Sequence, residues 1–223
     1  MSHGHHHDHH HHDAHIAETV QKISENTRHE LMARALRELL IEKELLTADE
    51  VRTMIERLES PGVHVGARIV ARAWIDIQFY ARLLANGKSA IAELGIAATE
   101  AQIIVVENRP NVHNMIVCTL CSCYPRSILG QPPAWYVSRS YRARAVHEPR
   151  EVLKELGLSI PANVEVRVHD STADMRYLVL PMRPPGTDGM SEEQLAALIT
   201  RDSLIGTALA QLPPNTLQLV PVD

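Results

Sequence analysis

The sequence predicts an α+β protein, an N-terminal helical arm followed by a layered α-β-β-α domain. Three observations carry this. Helical periodicity runs from about Glu18 to Gly95, β-branched runs begin only at Ile103, and 223 residues leave room for one ordinary core plus an arm. A helical first half and a mixed second half define the class. The expected divisions are a His-rich tail over 1–15, the helical arm over 16–62, an α+β domain bearing a cysteine loop over 63–210, and a C-terminal tail over 211–223.

Residues 1–15 (MSHGHHHDHHHHDAH) hold nine of the 14 histidines, interleaved with Asp, and have nothing to bury, so disorder is expected there. One reading is a purification tag. The other is a native tract that gathers divalent metal as a store or relay, favoured by the interspersed aspartates and the direct entry into an amphipathic segment.

From about Glu18 to Leu46 the pattern is helical, with Leu31, Leu36, Leu39 and Leu40 among charged neighbours. Thr47 with Glu50 reads as a capping box, and Val51, Met54, Ile55 and Leu58 follow at helical spacing before Ser60-Pro61-Gly62. A further helix is expected from about Val65 to Leu84, closing at Asn86-Gly87 with a left-handed glycine, and a short one ends at Gly95. Ile103–Val106 and Met115–Val117 read as strands flanking the cysteine motif. Val164–Val168 alternates with period two, Asp170–Asp174 supplies turn chemistry, and Met175–Leu180 follows, which predicts a β-hairpin. Ser191 with Gln194 is a second capping box, opening a helix that carries Leu195, Leu198 and Ile199.

Composition narrows the function. Hydrophobic residues are 45% and charged residues 22%, and a net charge of −5 provides no basic excess for nucleic acid. No apolar run approaches the roughly 20 residues of a membrane span, and the start lacks signal-peptide order, so a cytoplasmic location is expected without a membrane partner. With only 4% aromatic residues the core must be aliphatic. All three cysteines fall within six residues, too close and too odd in number to staple a secreted fold.

Cys118-Thr119-Leu120-Cys121-Ser122-Cys123 directly follows a strand, so three soft thiolates converge on one point. Three chemistries fit the spacing. A structural zinc site would need a fourth ligand, for which His113 is a candidate. A Cys-x-x-Cys redox pair is the second. The third is a catalytic metal, in which the backbone folds beneath the ion so that the amides of Ser122 and Cys123 face it, leaving a sixth position open.

The run Val117–Pro125 resembles the metal-binding signature of the nitrile hydratase α subunit, with Thr119 resembling the cobalt type. The likeness extends through Gly66-Ala67-Arg68 to Leu94, Val106-Glu107-Asn108, Leu129-Gly130 to Tyr136, Tyr141–Arg144, Glu148-Pro149-Arg150 and Thr200–Gly206. The resemblance implies hydration of a nitrile to its amide at a low-spin Co(III), or alternatively Fe(III), one per α subunit. Cys118, Cys121 and Cys123 and the amides of Ser122 and Cys123 would be its ligands. Cys121 would be oxidised to a sulfinate and Cys123 to a sulfenate, with these two cysteines carrying the catalysis. Asp170 and Arg176 match family positions that support the site; read without the family they are a turn residue and a solvated charge. An obligate β subunit is implied, pairing as an αβ heterodimer that assembles to a heterotetramer, together with a metallochaperone or activator for cobalt loading.

Two departures stand out. The family commonly has Trp where this chain has Arg126, and Gly-Pro-Gln-Gly where it has Ala97-Ala98-Thr99-Glu100. A cation at 126 is the candidate selector of substrate, since it would attract an anion such as thiocyanate. The alternative is therefore a thiocyanate hydrolase γ subunit, which shares the cysteine loop. A third reading, from another class, is a non-enzymatic metal carrier.

Overall fold

The structure, a computed structural model, describes residues 27–59 and 61–212. The His-rich tail, the expected helix start over 18–26 and residues 213–223 of the C-terminal tail lie outside the described residues. The chain separates into two compact units, one ending at Glu56 and the other beginning at Arg57.

In the first unit, helix α1 spans 27–42. It leaves Leu31, Met32, Leu36 and Leu39 exposed, as are Met54 and Ile55 of α2 (Ala48–Glu59). Thr47 caps α2 as its sequence predicts. The Thr47 hydroxyl accepts from the Glu50 amide at 3.1 Å, and the Glu50 carboxylate accepts from the Thr47 amide at 2.8 Å.

The second unit begins with α3 (Val63–Ile75), α4 (Ile77–Ala85) and α5 (Gly87–Glu93). The single helix expected over 65–84 is two. Asp76 leaves the helical conformation and its carboxylate accepts from the amides of Gln78 and Phe79, capping α4 while ending α3. Asn86-Gly87 also differs from expectation. Asn86 is extended and caps α5 through Ser89, and Gly87 opens that helix without a left-handed turn. Glycine is required there by space, since a Cβ would sit 2.6 Å from the Ile103 carbonyl oxygen. Gly95, past α5, is the residue with positive φ, +74°.

Strands β1 (Gln102–Glu107) and β2 (Val112–Val117) come next, then α6 (Arg126–Leu129), α7 (Ala134–Val137), α8 (Arg139–His147) and α9 (Pro149–Glu155). Strands β3 (Glu165–Asp170) and β4 (Met175–Leu180) follow, and α10 (Glu192–Ala196) and α11 (Arg201–Ile205) complete the described fold. Both strands before the cysteine loop precede it, so they do not flank it; a helix, α6, follows. The expected Ser191–Gln194 capping box is present, and Leu195, Leu198 and Ile199 are buried.

The predicted hairpin does not form. β3 pairs parallel with β2, and β4 pairs parallel with β1. Each tight connection, 108–111 and 171–174, carries the chain from one two-stranded sheet to the other. Helices α3, α4, α5, α10 and α11 lie on the β1–β4 side, the two sheets meet, and α8 and α9 cover the β2–β3 side. This is the expected α-β-β-α layering. β2 is buried along its whole length, as a parallel strand covered on both faces must be.

A polar latch crosses these layers. The His113 ring contacts the Gly206 carbonyl oxygen at 2.7 Å through Nε2 and the Asn108 amide at 3.3 Å through Nδ1. Asn108 accepts from the Asn114 backbone at 2.7 Å, and the Asn114 side-chain oxygen meets His169 Nε2 at 2.8 Å. Gly206, at φ +82°, ends α11 so close to β2 that a Cβ would fall 1.9 Å from the Asn114 carbonyl oxygen. Gly206→Ala should cost about 4 kcal/mol or more, through a backbone collision that no side-chain rotation relieves. Urea unfolding of the variant tests this, and a loss under about 1 kcal/mol would refute the close approach.

Burial holds the His113 imidazole below its ordinary range, and burial together with the Arg167 charge does the same to His169. The unfolded chain takes up these protons near about pH 6.5 while the folded chain resists them. The folded value is the lower, so the latch contributes fully above the unfolded value and loses stability as pH falls through it. The urea midpoint should fall between about pH 7.5 and about pH 5.5, and fall less in His113→Gln. Equal slopes in the two proteins would remove His113 from this role.

Candidate metal centre

The cysteine loop begins where β2 ends. Cys118 is buried, Cys121 exposed and Cys123 between the two, and all three thiols are free. Cys121 Sγ lies 3.4 Å from Cys118 Sγ and 3.1 Å from Cys123 Sγ. All three sulfurs fall within 4.8 Å of one another. These separations are too long for a disulfide. Two sulfurs each about 2.3 Å from one ion lie about 3.3 Å apart at a right angle and about 3.8 Å apart in a tetrahedron. The observed spacing suits adjacent positions of a six-coordinate ion better than a structural zinc site.

Within the loop the Cys121 amide donates to Cys118 Sγ at 3.3 Å. Hydrogen bonds from Cys123 and then Cys118, with smaller contributions from the Ser122 and Cys123 amides, hold the Cys121 thiol down to about 7. Cys123 is pushed up to about 12, first by burial and then by its sulfur neighbours, against the pull of the Arg176 charge. Without a cation the loop resists ionising Cys121 and Cys123 together.

Asp170, the last residue of β3, stands opposite Val117 in the parallel register. Its carboxylate accepts from the Thr119 amide at 2.9 Å and from the Thr119 hydroxyl at 2.6 Å. It is thus an anchor of the loop and not merely a turn residue. Arg176, near the start of β4, donates to the carbonyls of Thr172 and Met175, and its buried Nε has no partner among the described residues. Arg126, first in α6, is exposed and follows the loop by three residues. His113 is not brought to the sulfurs; both its ring nitrogens are engaged in the latch.

Other residues that hold the loop were not singled out from the sequence. The Tyr136 hydroxyl donates to the Cys123 carbonyl at 3.0 Å, and the Tyr141 hydroxyl to the Ile116 carbonyl at 2.7 Å. Arg142 reaches the Thr119 carbonyl at 3.5 Å. Tyr124, Trp135, Tyr136 and Tyr141 form an edge-to-face cluster beneath the loop. The signal was available: three of the five tyrosines of an aromatic-poor chain fall within residues 124–141. Glu100, at one of the departures, accepts from the Ser127 amide at 3.0 Å and from the Ser127 hydroxyl, tying down the start of α6.

Fold and site together define a protein whose strand-end loop presents three thiols to one ion. The model of the nitrile hydratase alpha chain matches residues 27–208. The low-molecular-weight cobalt-containing nitrile hydratase subunit alpha of Rhodococcus rhodochrous is 47% identical over 87% of this chain and 96% of its own length. Thiocyanate hydrolase subunit gamma of Thiobacillus thioparus is 41% identical over 84% of this chain and 82% of its own. A double histidine variant of the Fe-type nitrile hydratase from Comamonas testosteroni Ni1 superposes with a TM-score of 0.78 at 42% identity, covering 89% of this chain and 96% of that one. The chain belongs to the nitrile hydratase alpha-chain family.

In the metal-free chain, alkylation should reach exposed Cys121 well before buried Cys118. Asp170→Ala removes two hydrogen bonds to a carboxylate and should speed modification of Cys118 about tenfold, read by peptide mass spectrometry. An unchanged rate would show that Thr119 is held without Asp170.

Proposed function

We propose that this chain is the metal-carrying α subunit of a cobalt-type nitrile hydratase. The observation that carries the reading is the convergence of three sulfurs within 4.8 Å, with Cys121 at right-angle distances from both of the others, in a chain of this family. Cys118, Cys121 and Cys123 through sulfur, and Ser122 and Cys123 through their amide nitrogens, would hold one ion. That ion is Co(III), supported by the cobalt-containing relative and by Thr119; the Fe-type neighbour makes Fe(III) the alternative. Bound there, it supplies Lewis acidity that polarises a nitrile.

The chain's own residues do the rest. Cys121 as a sulfinate and Cys123 as a sulfenate would still offer sulfur to the ion. The sulfenate oxygen of Cys123 would either take a proton from the water that attacks the nitrile carbon, or attack that carbon itself, the S–O–C link so formed then being cleaved by water to restore the sulfenate; either way one water adds across the triple bond and the amide leaves. Arg176, whose charge acts on Cys123, stabilises the anionic oxygen. Tyr136 fixes the Cys123 carbonyl and Asp170 fixes Thr119, so the reacting sulfur is held from both sides of the loop. The exposed leucines and methionines of α1 and α2 support an obligate β subunit, in an αβ pair that assembles to a heterotetramer, with a metallochaperone or activator for loading. Among the described residues no helix is long and apolar enough to cross a membrane. The cytoplasm remains the location proposed from the sequence.

A thiocyanate hydrolase γ subunit is the second reading, favoured by exposed Arg126 and by the 41% identical relative. A non-enzymatic carrier with a closed zinc site fits the sulfur spacing poorly. The test is coexpression with the partner subunits in cobalt-supplemented cells, followed by amide release from a small nitrile and carbonyl sulfide release from thiocyanate. Amide release should dominate, and Arg126→Trp should change the KM for a neutral nitrile less than about tenfold. Preferential turnover of thiocyanate, lost in Arg126→Trp, would overturn the reading and make Arg126 the anion selector.

A further inference from the structure

The two departures from the family pattern meet in the structure. Glu100 lies in the connection between α5 and β1 and Arg126 opens α6, yet the Glu100 carboxylate accepts from both the amide and the hydroxyl of Ser127, 27 residues further along the chain. α6 has four residues and no side-chain cap from Pro125, so an amide of its first turn is satisfied from a distant segment. That segment is itself held, since the Lys88 ammonium donates to the Glu100 carbonyl at 2.6 Å. Both carboxylate oxygens are engaged, which keeps the charge beside α6 instead of free in solvent.

One of those oxygens is 3.0 Å from the nitrogen that joins Arg126 to Ser127, which places it no more than about 5.5 Å from the Arg126 Cα. The family commonly has neutral Gly and Trp at these two positions, and this chain has an anion and a cation. Alone, the exposed Arg126 would draw anions toward the cysteine loop. A carboxylate fixed beside it offsets that field for an approaching anion and leaves a neutral molecule unaffected. We propose that Glu100 is a specificity-determining residue, which cancels the pull of Arg126 on anions so that the centre admits neutral nitriles, a role that rests on the nitrile hydratase reading and narrows its substrate class. At a water-rich surface, unit charges about 8 Å apart change an affinity about two- to fivefold.

The field is read first without cobalt or turnover. In the metal-free full chain, exposed Cys121 is alkylated with iodoacetate, an anion, and with iodoacetamide, its neutral counterpart. Both attack the same thiolate, so the ratio of their rates reports the charge nearby and not the ionisation of the thiol. Glu100→Gln keeps an oxygen for the Ser127 amide and an amide group for its hydroxyl, and removes only the charge. It should raise the iodoacetate-to-iodoacetamide ratio about twofold or more at low ionic strength, and the difference should vanish in about 1 M sodium chloride. An unchanged ratio would overturn the role of Glu100, and so would a shift that persists at high salt, which marks displacement of α6. Specificity is then read on the cobalt-loaded enzyme with its partner subunits, hydrating acetonitrile in competition with potassium thiocyanate. The thiocyanate inhibition constant, relative to the KM for acetonitrile, should fall about two- to fivefold in Glu100→Gln. An equal value in the two proteins would overturn Glu100 as a specificity residue. Preferential turnover of thiocyanate by the unaltered enzyme is a separate result, which would sink the nitrile hydratase reading itself.

Discussion

The carboxylate of Asp170 receives both the amide and the hydroxyl of Thr119, and it can do so because β2 and β3 run parallel with Val117 opposite Asp170. The loop needs such an anchor. Its three sulfurs offer one another only weak contacts, and ionising Cys121 and Cys123 together is unfavourable in the absence of a cation. What holds them within reach of one ion is the strand pair on one side and the Tyr136 and Tyr141 hydroxyls on the other. Both tyrosines belong to the aromatic cluster, so half of the chain's few aromatic residues sit under this loop.

The split into two sheets explains what the sequence could and could not disclose. Alternation in Val164–Val168 identifies a strand and the residues sharing a face, and so does the β-branched run at Ile103–Val106. Neither identifies the partner. A four-residue connection between two strands suits a hairpin, yet here both such connections step between layers, and pairing is decided by burying β2 on both faces. The break at Asp76 was missed for a related reason. Apolar residues continue across the break at Ile75, Ile77 and Phe79, and only the capping carboxylate marks the interruption. The two capping boxes were legible because they are local, each closing over three residues.

The convergence of the three sulfurs was legible in the sequence, and the residues that hold the loop were not. Three cysteines in six residues after a strand announce convergent thiols at once. Asp170 and Arg176 came from family resemblance, since contacts made across 51 residues of sequence leave no local pattern. Tyr136, Tyr141 and Arg142 were within matched segments but bond to backbone carbonyls, which any residue supplies, so no complementary residue type pointed to them. His113 shows the converse. Its place five residues before Cys118 suggested a ligand, but a strand sends it into the buried latch instead.

Charge bears on the choice between a nitrile and thiocyanate. Three sulfur anions and two deprotonated amides around a trivalent ion leave the proposed centre net negative, and oxidation to sulfinate and sulfenate does not remove those charges. Such a centre repels an anionic substrate unless nearby cations outweigh it. Arg176 is already opposed to Cys123, and Arg142 is turned to the Thr119 carbonyl. Arg126 is left, and it is exposed, where water weakens its field. A neutral nitrile needs none of this compensation. Of these three arginines only Arg176 acts on a loop sulfur, and with Arg126 exposed none is left to compensate an anionic substrate, which favours the neutral substrate for this chain.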